Sequence, residues 1–309
     1  MTQIDLTSYQ SSALALHAPG QVAKERDDRA VVGDWRLVHL AAEGSFARVY
    51  RARPTNLPDD RPADYAVKML QSGLQSERWA VSQLAREARV GRTVSHPHLI
   101  PILDAGVSGE SRYTVMPWLE GRTLAAQLGT GELPEVPVAL WIARQAADAL
   151  GALHRAAWMH GDVKPGNIFV SPLGHVTLLD LGFARRPDET GSAADRRISG
   201  TCSHMAPEFL TSAIGADIRS DIYSLGVVLF EMLTGRLPFT GSSMAELATH
   251  HRQSTPPPLR TLAPHVPDDV ARLVHRMLAK EPLRRPQTPD ELVKRLTTLE
   301  VATFSQRAV

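Results

Sequence analysis

The chain has a single cysteine, Cys202, among 309 residues, and therefore cannot form an internal disulfide. Small secreted proteins commonly rely on paired cysteines, so this sequence favours a reducing compartment. Neither sign of charge is in excess, because 34 basic residues are balanced by 33 acidic ones. Proteins that bind nucleic acid or anionic membranes usually carry a basic excess. The charge balance therefore predicts neither partner.

Long hydrophobic runs are also missing. The longest apolar stretch, Ile222 to Leu233, includes Glu231 and falls short of the ~18 residues expected of a membrane-spanning helix. It predicts a buried helix instead. The N-terminal stretch MTQIDLTSYQSSALALHAPG has no basic segment before its short apolar ALAL, unlike a secretory signal. We expect a cytoplasmic protein without a membrane segment.

The remaining composition is that of an ordinary globular protein, with 43% hydrophobic and 22% charged residues. Residues 1–33 are polar and lack a sustained apolar period, and are predicted to be a flexible extension. Residues 34–119 are predicted to be rich in strands, with one helix. Residues 120–299 are predicted to be helical, and residues 300–309 to form a tail. The pattern predicts an α+β fold.

The predicted strands of the first part are WRLVHLA, ARVYRAR, YAVKML, PILDAGV and RYTVMPW, which are short and rich in Val, Tyr and Leu. The helix within ERWAVSQLAREARVGRTV would place four residues on one face: Ala80, Leu84, Glu87 and Gly91. After Gly121, VPVALWIARQAADALGALHRAAW predicts a long helix. Further helices are expected around residues 220–234, 243–251, 268–279 and 289–299.

Two charged residues fall where apolar ones are expected. Lys68 lies within the strand YAVKML, and Glu87 lies on the inward face of the next helix. A lysine in a strand is often a solvated residue of an edge strand. Because a buried charge needs a partner, however, the pair together predicts a buried lysine–glutamate contact.

A second group of polar residues lies in HGDVKPGN. Pro165 and Gly166 prevent a helix here, so that the side chains of Asp162, Lys164 and Asn167 can converge on one small volume. Asp180 follows an apolar strand in LLDLGFARR. Taken alone, the first segment is also compatible with a polar turn, and Asp180 with a turn-forming acid.

In this order, the segments resemble those of eukaryotic-type (Hanks-type) serine/threonine protein kinases of the bacterial kind, over about residues 34 to 299. The resemblance implies a two-lobed fold, with a β-rich N-lobe (34–119), a larger helical C-lobe (120–299) and ATP in the cleft between them. It also implies transfer of the ATP γ-phosphoryl group to serine or threonine hydroxyls of proteins, whose identity the sequence does not indicate.

The resemblance implies a role for each polar residue. Lys68, oriented by Glu87, would bind the α- and β-phosphates, and Asp162 would accept the proton of the substrate hydroxyl. Lys164 would neutralise the transferring phosphate, while Asn167 and Asp180 would hold Mg²⁺. The implied nucleotide-binding positions are Ala42, Gly44, Ser45, Val49, Ala66, Lys68, Met116, Pro117 and Leu119.

The sequence departs from the family pattern at several positions. Of the three glycine positions of the phosphate-covering loop, only Gly44 is glycine, while Ala42 and Ala47 replace the others. We expect these alanines to loosen nucleotide binding or to stiffen the loop. Leu181 stands in place of the usual phenylalanine, and Gly161 in place of an arginine that commonly pairs with a phosphorylated activation segment.

The departures leave two functions open. Because Asp162 is retained, the first is an active kinase that does not depend on phosphorylation of its activation segment. The second is a pseudokinase that acts as a nucleotide-binding or scaffold module. A small-molecule phosphotransferase of related fold is disfavoured by the substrate-docking segment ending in Ala206, Pro207 and Glu208.

Supporting roles follow from the same resemblance. Glu208 would pair with Arg285, and Thr201 would hydrogen-bond near Asp162. Asp221 would cap its helix and hold the catalytic loop through backbone amides. The resemblance also allows self-phosphorylation at hydroxyls of the activation segment: Thr190, Ser192, Ser199 and Thr201.

Overall fold

The computed structural model describes residues 31–187, 202–210 and 215–305. The N-lobe is built on a six-stranded antiparallel sheet with strand order β1-β2-β3-β4-β6-β5. Its strands are β1 (Val31–Val32), β2 (Trp35–Glu43), β3 (Ala47–Pro54), β4 (Tyr65–Leu70), β5 (Asp104–Ser108) and β6 (Ser111–Pro117). All five strand segments predicted from the sequence are present.

The sheet begins earlier than the predicted domain boundary at residue 34. Val31 and Val32 of β1 pair with Arg36 and Trp35 of β2. Gly33 permits this tight reversal because it adopts φ +55°, in the left-handed region that glycine tolerates.

Helix α1 (Arg78–Thr93) is the one long helix of the N-lobe. Its buried residues include Ala80, Leu84, Glu87 and Gly91, which is the face predicted from helical periodicity. The backbone of Gly91 lies so close to Ile102 that an added Cβ would be 2.4 Å from its side chain. The close approach holds α1 against the segment that leads into β5.

The C-lobe contains seven helices among the described residues and a small sheet with strand order β7-β8-β9. The strands are β7 (Arg122–Thr123), β8 (Ile168–Val170) and β9 (Val176–Leu178). The helices are α2 (Leu124–Leu128), α3 (Val136–Arg155), α4 (Ile218–Thr234), α5 (Met244–Gln253), α6 (Leu259–Leu262), α7 (Asp268–Met277) and α8 (Pro289–Ser305). The two-lobed α+β fold expected from the sequence is confirmed.

Helix α4 is the central helix of the C-lobe core. Ile222, Leu225, Val228 and Leu229 are fully buried within it, as the apolar stretch predicted. No helix in the described part of the chain is both long and apolar enough to cross a lipid bilayer. Helix α8 extends to Ser305, beyond the boundary of 299 expected from the sequence.

The prediction that Asp221 caps helix α4 is wrong. The cap is Asp217, whose side chain accepts a hydrogen bond from the backbone N–H of Arg219 at 2.8 Å. Asp221, predicted to be the cap, lies in the first turn instead. Its carboxylate oxygens are engaged by backbone N–H groups of another segment, described below, and so are not available to cap α4.

A buried ion pair ties the segment 202–210 to the rest of the C-lobe. The guanidinium of Arg285 is fully buried and donates to both carboxylate oxygens of Glu208, at 2.6 and 2.9 Å. It also donates to the carbonyl of Arg219 at 2.9 Å, while Ser220 Oγ donates to Glu208 at 2.6 Å. The predicted pairing of Glu208 with Arg285 is confirmed, and it fixes both partners to the start of α4.

We expect Arg285→Ala to destabilise the fold by about 3–5 kcal/mol, because it leaves the carboxylate of Glu208 buried without its cation. The neighbouring Arg284→Ala is a matched control, since Arg284 forms an exposed pair with Glu281 and such pairs contribute about 1 kcal/mol or less. Urea unfolding of the two variants measures the difference. Similar losses in both variants would contradict the assigned role of the buried pair.

A buried histidine lies near this ion pair. His251 of α5 is fully buried, with Nδ1 at 2.9 Å from the hydroxyl oxygen of Tyr223. Burial and the nearby charge of Lys280 lower the pKa of His251 from 6.5 to about 4. Between these two pH values the unfolded chain binds a proton that the folded chain does not.

Stability should therefore fall as the pH drops from 6.5 towards 4, and His251 should account for up to about 3 kcal/mol of that fall. His251→Gln removes the titrating group and retains a polar side chain beside Tyr223. We expect its thermal midpoint to fall less between pH 7 and pH 5 than that of the unaltered chain. The exposed His265→Gln serves as the control, and an equal slope for His251→Gln and the unaltered chain would refute the prediction.

Candidate active site

The cleft between the lobes contains a buried lysine between two carboxylates. Lys68 Nζ lies 3.0 Å from Oε1 of Glu87 on α1 and 3.2 Å from Oδ1 of Asp180, which follows β9. All three residues are at most 5% exposed. The predicted Lys68–Glu87 pair is confirmed, while the contact with Asp180 was not predicted.

The electrostatics of this triad favour a charged lysine. Burial opposes the charge on Lys68, but Asp180 and Glu87 outweigh it and raise the pKa of the ammonium. Burial likewise opposes ionisation of Asp180, but Lys68 and Lys164 hold its pKa below the usual value. Burial raises the pKa of Glu87 to about 7 against the attraction of Lys68.

The catalytic loop, residues 159–167, brings the second predicted group together. Oδ2 of Asp162 lies 2.8 Å from Lys164 Nζ and accepts a hydrogen bond from Asn167 Nδ2 at 2.9 Å. Asn167 Nδ2 also donates to the backbone carbonyl of Asp162 at 2.8 Å. Oδ1 of Asp162 has no partner among the described residues. The three side chains converge as predicted, and they leave one carboxylate oxygen available.

The side chain of Asp221 holds the backbone of this loop in place. Its Oδ2 accepts from the N–H of His160 at 2.6 Å and its Oδ1 from the N–H of Gly161 at 2.8 Å. His160 is fully buried, and its ring nitrogens lie within hydrogen-bond distance of the carbonyl of Leu179 and the N–H of Asp162. His160 is therefore a positioning residue, and the predicted contact of Asp221 with the loop amides is confirmed.

The backbone of Gly161 adopts a conformation that is unfavourable for residues with a Cβ atom. Its φ is +79°, and an added Cβ would lie 2.7 Å from the carbonyl oxygen of Phe183. The backbones of Met159 and Arg185 form two hydrogen bonds with each other, each N–H donating to the other residue's carbonyl, at 2.9 and 3.1 Å. These bonds fix the catalytic loop against the segment that contains Phe183 and Arg185. The sequence showed that an arginine was missing at position 161, but not that the local backbone favours glycine.

Asp180 also has an unusual backbone, with φ +60°. Its Oδ1 accepts a hydrogen bond from the N–H of Gly182 at 3.3 Å, which supports the left-handed turn. Leu181 is fully buried in the C-lobe core, so the leucine packs at the position where the family pattern has phenylalanine. The turn directs the Asp180 carboxylate towards Lys68.

The predicted nucleotide pocket has an apolar wall. Ala42, Val49 and Ala66 form one buried cluster, against which Met116 and Trp118 pack. Met116 also contacts the C-lobe core, as does Leu119. The predicted positions in this part of the pocket are therefore brought together at the connection between the lobes.

Trp118 was not singled out from the sequence. It lies 4.8 Å beneath the guanidinium of Arg51, and its indole N–H donates to Glu120 at 2.9 Å. The backbone N–H of Trp118 donates to the carbonyl of Asp64, whereas the N–H of Leu119 has no partner among the described residues. Pro117 ends β6 opposite Tyr65. The Leu119 amide is thus available to a ligand.

Hydrogen bonds hold the backbone of the phosphate-covering loop. Gly44 N–H donates to the carbonyl of Ala47 at 2.8 Å, and the side chain of Gln71 donates to the carbonyl of Gly44 at 2.8 Å. Phe46 is buried, with its ring centre 5.1 Å from Lys68 Nζ. Ser45 is exposed between them. Gln71 and Phe46 act on the loop through tertiary contacts that no local sequence pattern indicates.

Oxygen atoms in the cleft fit a divalent cation. Asp180 uses Oδ1 for Lys68 and Gly182, and Asn167 uses its amide nitrogen for Asp162. Oδ2 of Asp180 and Oδ1 of Asn167 have no hydrogen-bond partner among the described residues. Mg²⁺ prefers such oxygen ligands, completed by phosphates and water. The donor set therefore suits a metal bound together with a nucleotide rather than one enclosed by protein.

The fold and this site define a class. A sheet lobe and a helical lobe place a paired lysine opposite an aspartate, lysine and asparagine, as in the two-lobed phosphotransferases that act on nucleotide phosphates. A family model described as protein kinase domain matches residues 36–296. The chain therefore belongs to the protein kinase domain family, and the resemblance inferred from the sequence is confirmed.

Bacterial serine/threonine-protein kinases are among the curated relatives that the chain matches. It is 30% identical over 262 residues to serine/threonine-protein kinase PrkC of Bacillus subtilis, covering 85% of this chain and 40% of that protein. It is 34% identical over 261 residues to serine/threonine-protein kinase PknA of Mycobacterium tuberculosis, covering 82% and 58%. It is 33% identical over 286 residues to serine/threonine-protein kinase pkn2 of Myxococcus xanthus, covering 89% and 34%. The matches thus span between 34% and 58% of these relatives.

The geometry at Gly161 gives a testable prediction. Gly161→Ala should cost about 1–2 kcal/mol for the left-handed backbone, and more for displacing the carbonyl of Phe183. Gly131→Ala is a matched control, because Gly131 has φ +81° but no atom within 4 Å of an added Cβ. We expect a larger fall in the urea midpoint for Gly161→Ala than for Gly131→Ala. Equal falls would show that the close contact with Phe183 has no energetic effect.

Proposed function

We propose that the protein transfers the γ-phosphoryl group of ATP to serine or threonine hydroxyls of proteins. The observation that carries the proposal is the joint placement of Lys68, Glu87 and Asp180 in one connected set and of Asp162, Lys164 and Asn167 in another. The relatives named above are serine/threonine-protein kinases, which supports the substrate class.

In this proposal Asp162 acts as the general base. Lys164 and Asn167 hold its Oδ2, so that Oδ1 is oriented to accept the proton of a substrate hydroxyl. Lys164 also brings a positive charge to the oxygen atoms of the transferring phosphoryl group. Lys68 is held in place to contact the α- and β-phosphates. Catalysis would come mainly from positioning and charge stabilisation.

Members of the protein kinase domain family use ATP and a divalent metal, and we assign Mg²⁺ to this chain. Asn167 and Asp180 would hold the ion through their unpaired oxygen atoms. When bound, the ion supplies charge neutralisation at the phosphates. The apolar wall of Ala42, Val49 and Ala66 would receive the adenine ring, and the Leu119 amide would donate to it.

We also propose that activity does not require phosphorylation of the activation segment, whose hydroxyl residues Thr190, Ser192, Ser199 and Thr201 lie outside the described residues. Asp221 holds the catalytic loop through two backbone N–H groups, and Asn167 and Lys164 hold Asp162. These contacts, all between protein groups, support the proposal, because Gly161 has no side chain with which to form an arginine–phosphate pair.

A pseudokinase remains the alternative, and its support comes from the phosphate-covering loop. Two glycine positions are alanine, and the ring of Phe46 lies close to Lys68 Nζ, near where phosphates would bind. The methyl group of Ala47 packs in a cluster with Phe46 and Leu84, away from the cluster that contains Ala42. Of the two alanines that replace glycine, only Ala42 therefore adds a methyl group to the apolar wall of the pocket.

The proposed partners of the kinase are protein substrates, including the chain itself.

Phosphoryl transfer from Mg·ATP to a generic basic protein tests the proposal. We expect phosphoserine or phosphothreonine with the unaltered chain, and a loss of about 100-fold or more in Lys68→Met and in Asp162→Asn. Lys294→Met is the control, because Lys294 is an exposed residue of α8. Pretreatment with a phosphatase is expected to leave the initial rate unchanged.

The pseudokinase alternative predicts a different result. Nucleotide would bind to the folded chain, as measured by a thermal shift, but no phosphate would reach protein or peptide. Residual transfer of equal size in the unaltered chain and in Asp162→Asn would also refute the proposed role of Asp162. A rate that falls after phosphatase treatment would refute independence from activation-segment phosphorylation alone.

A further inference from the structure

A glutamine side chain reaches the loop that is proposed to cover the phosphates. Gln71 follows the last residue of β4, and its Nε2 donates to the backbone carbonyl of Gly44 at 2.8 Å. Its backbone N–H donates to the carbonyl of Phe46 at 3.0 Å. Gln71 therefore engages the two carbonyls on either side of Ser45, the exposed residue at the tip of the hairpin between β2 and β3.

The backbone of Gln71 is itself fixed. Leu70, the residue before it, pairs with Ala47 in the ladder between β3 and β4. The carbonyl of Gln71 accepts a hydrogen bond from the N–H of Leu74 at 2.9 Å. The half-buried side chain of Gln71 therefore extends to the loop from a backbone that is hydrogen-bonded through both its N–H and its carbonyl.

The hydrogen bond from the Gln71 side chain sets the orientation of the peptide group between Gly44 and Ser45. In a planar trans peptide, the carbonyl of one residue and the N–H of the next point in opposite directions. Because the Gly44 carbonyl points at Gln71, the Ser45 N–H points away from it. This N–H has no hydrogen-bond partner among the residues that the structure describes. It is therefore available to a ligand.

This peptide group needs a restraint, because glycine rotates more freely than other residues. Gly44 is the only glycine of the loop, since positions 42 and 47 are alanine. A rotated peptide would direct the Gly44 carbonyl oxygen to the side where the Ser45 N–H now points. Backbone N–H groups attract an anion such as phosphate, whereas a carbonyl oxygen repels it. The hydrogen bond from Gln71 opposes that rotation.

The tip of the loop lies beside the lysine that is proposed to hold the phosphates. The ring centre of Phe46, the neighbour of Ser45, is 5.1 Å from Lys68 Nζ. Val49 of the next strand pairs with Lys68 across the sheet. An anion that contacts the Lys68 ammonium would therefore lie close to the tip.

We infer that Gln71 is a positioning residue for the nucleotide phosphates: its side chain holds the Gly44 carbonyl so that the Ser45 N–H can donate to a phosphate oxygen. The inference rests on the proposed function, because it requires a nucleotide in the cleft. Gln71 acts through the backbone of the loop and does not touch the nucleotide. Its loss should therefore weaken the binding of ligands that carry phosphates and spare adenosine, which carries none.

The test compares two ligands by isothermal titration calorimetry on the full chain: the ATP analogue AMP-PNP with Mg²⁺, and adenosine. Gln71→Leu removes the donor at similar size. We expect it to lower the affinity for AMP-PNP about three- to tenfold, as for the loss of one neutral hydrogen bond, and to leave the affinity for adenosine unchanged. In phosphoryl transfer, the KM for ATP should rise by the same factor, while the KM for the protein substrate stays the same.

The matched control is Gln75→Leu. Gln75 is also half-buried, and its Nε2 donates at 2.8 Å to the carbonyl of Leu70, outside the loop. This variant should leave the ratio of the two affinities unchanged. In the ¹H–¹⁵N spectrum, AMP-PNP should shift the Ser45 amide resonance in the unaltered chain and in Gln75→Leu, but less in Gln71→Leu.

Two further substitutions separate the hydrogen bond from the shape of the side chain. Gln71→Glu has nearly the shape of glutamine, but its carboxylate cannot donate to the Gly44 carbonyl. It should lower the affinity for AMP-PNP at least as much as Gln71→Leu. Gln71→Lys retains an N–H donor, and its affinity for AMP-PNP should be higher than that of Gln71→Leu.

The outcomes distinguish the inference from the proposed function. A ratio of AMP-PNP to adenosine affinity that is unchanged in Gln71→Leu, or that falls equally in Gln75→Leu, would overturn the inference and leave the kinase intact. If the chain transfers no phosphate, the proposed function fails, and the ratio still decides the inference, because binding requires no phosphoryl transfer. If Gln71→Leu does not fold, the ratio in Gln71→Glu decides in its place.

Discussion

The buried ammonium of Lys68 is the interaction on which the rest of the site depends. It joins β4 to a helix residue 19 positions away and to an acid 112 positions away. A buried charge is stable only when its partners are in place, so the sheet, α1 and the turn after β9 must adopt one relative position. The cleft is therefore organised before any ligand enters, and the catalytic loop is aligned against it by separate hydrogen bonds.

Local patterns in the sequence predicted the parts of the site that depend on helix and strand period. Glu87 was placed correctly because it shares a helical face with Ala80 and Leu84, and that period is visible in the sequence. The contact between Lys68 and Asp180 could not be found in this way, because it depends on the left-handed turn after β9. The alanines at 42 and 47 show the same limit, since both were expected to have one effect on the loop, whereas the fold places them in different clusters.

Competition between hydrogen-bond partners explains the misplaced helix cap. An aspartate near the start of a helix is ordinarily a candidate for capping, and both Asp217 and Asp221 meet that description. The carboxylate of Asp221 is already used by the N–H groups of His160 and Gly161, which belong to a segment about sixty positions earlier. A pattern read along the chain cannot show that a distant loop needs the same oxygen atoms.

The two hydrogen bonds that the Asp221 carboxylate accepts limit which residues can occupy this position. Asparagine has nearly the same shape, but it would present an N–H₂ group to one of the two backbone N–H groups, so that two donors would face each other. Glutamate carries both acceptors, yet its longer side chain would carry them past the N–H groups of His160 and Gly161. Either replacement would therefore weaken the hold on the backbone of the catalytic loop unless that loop changed at the same time.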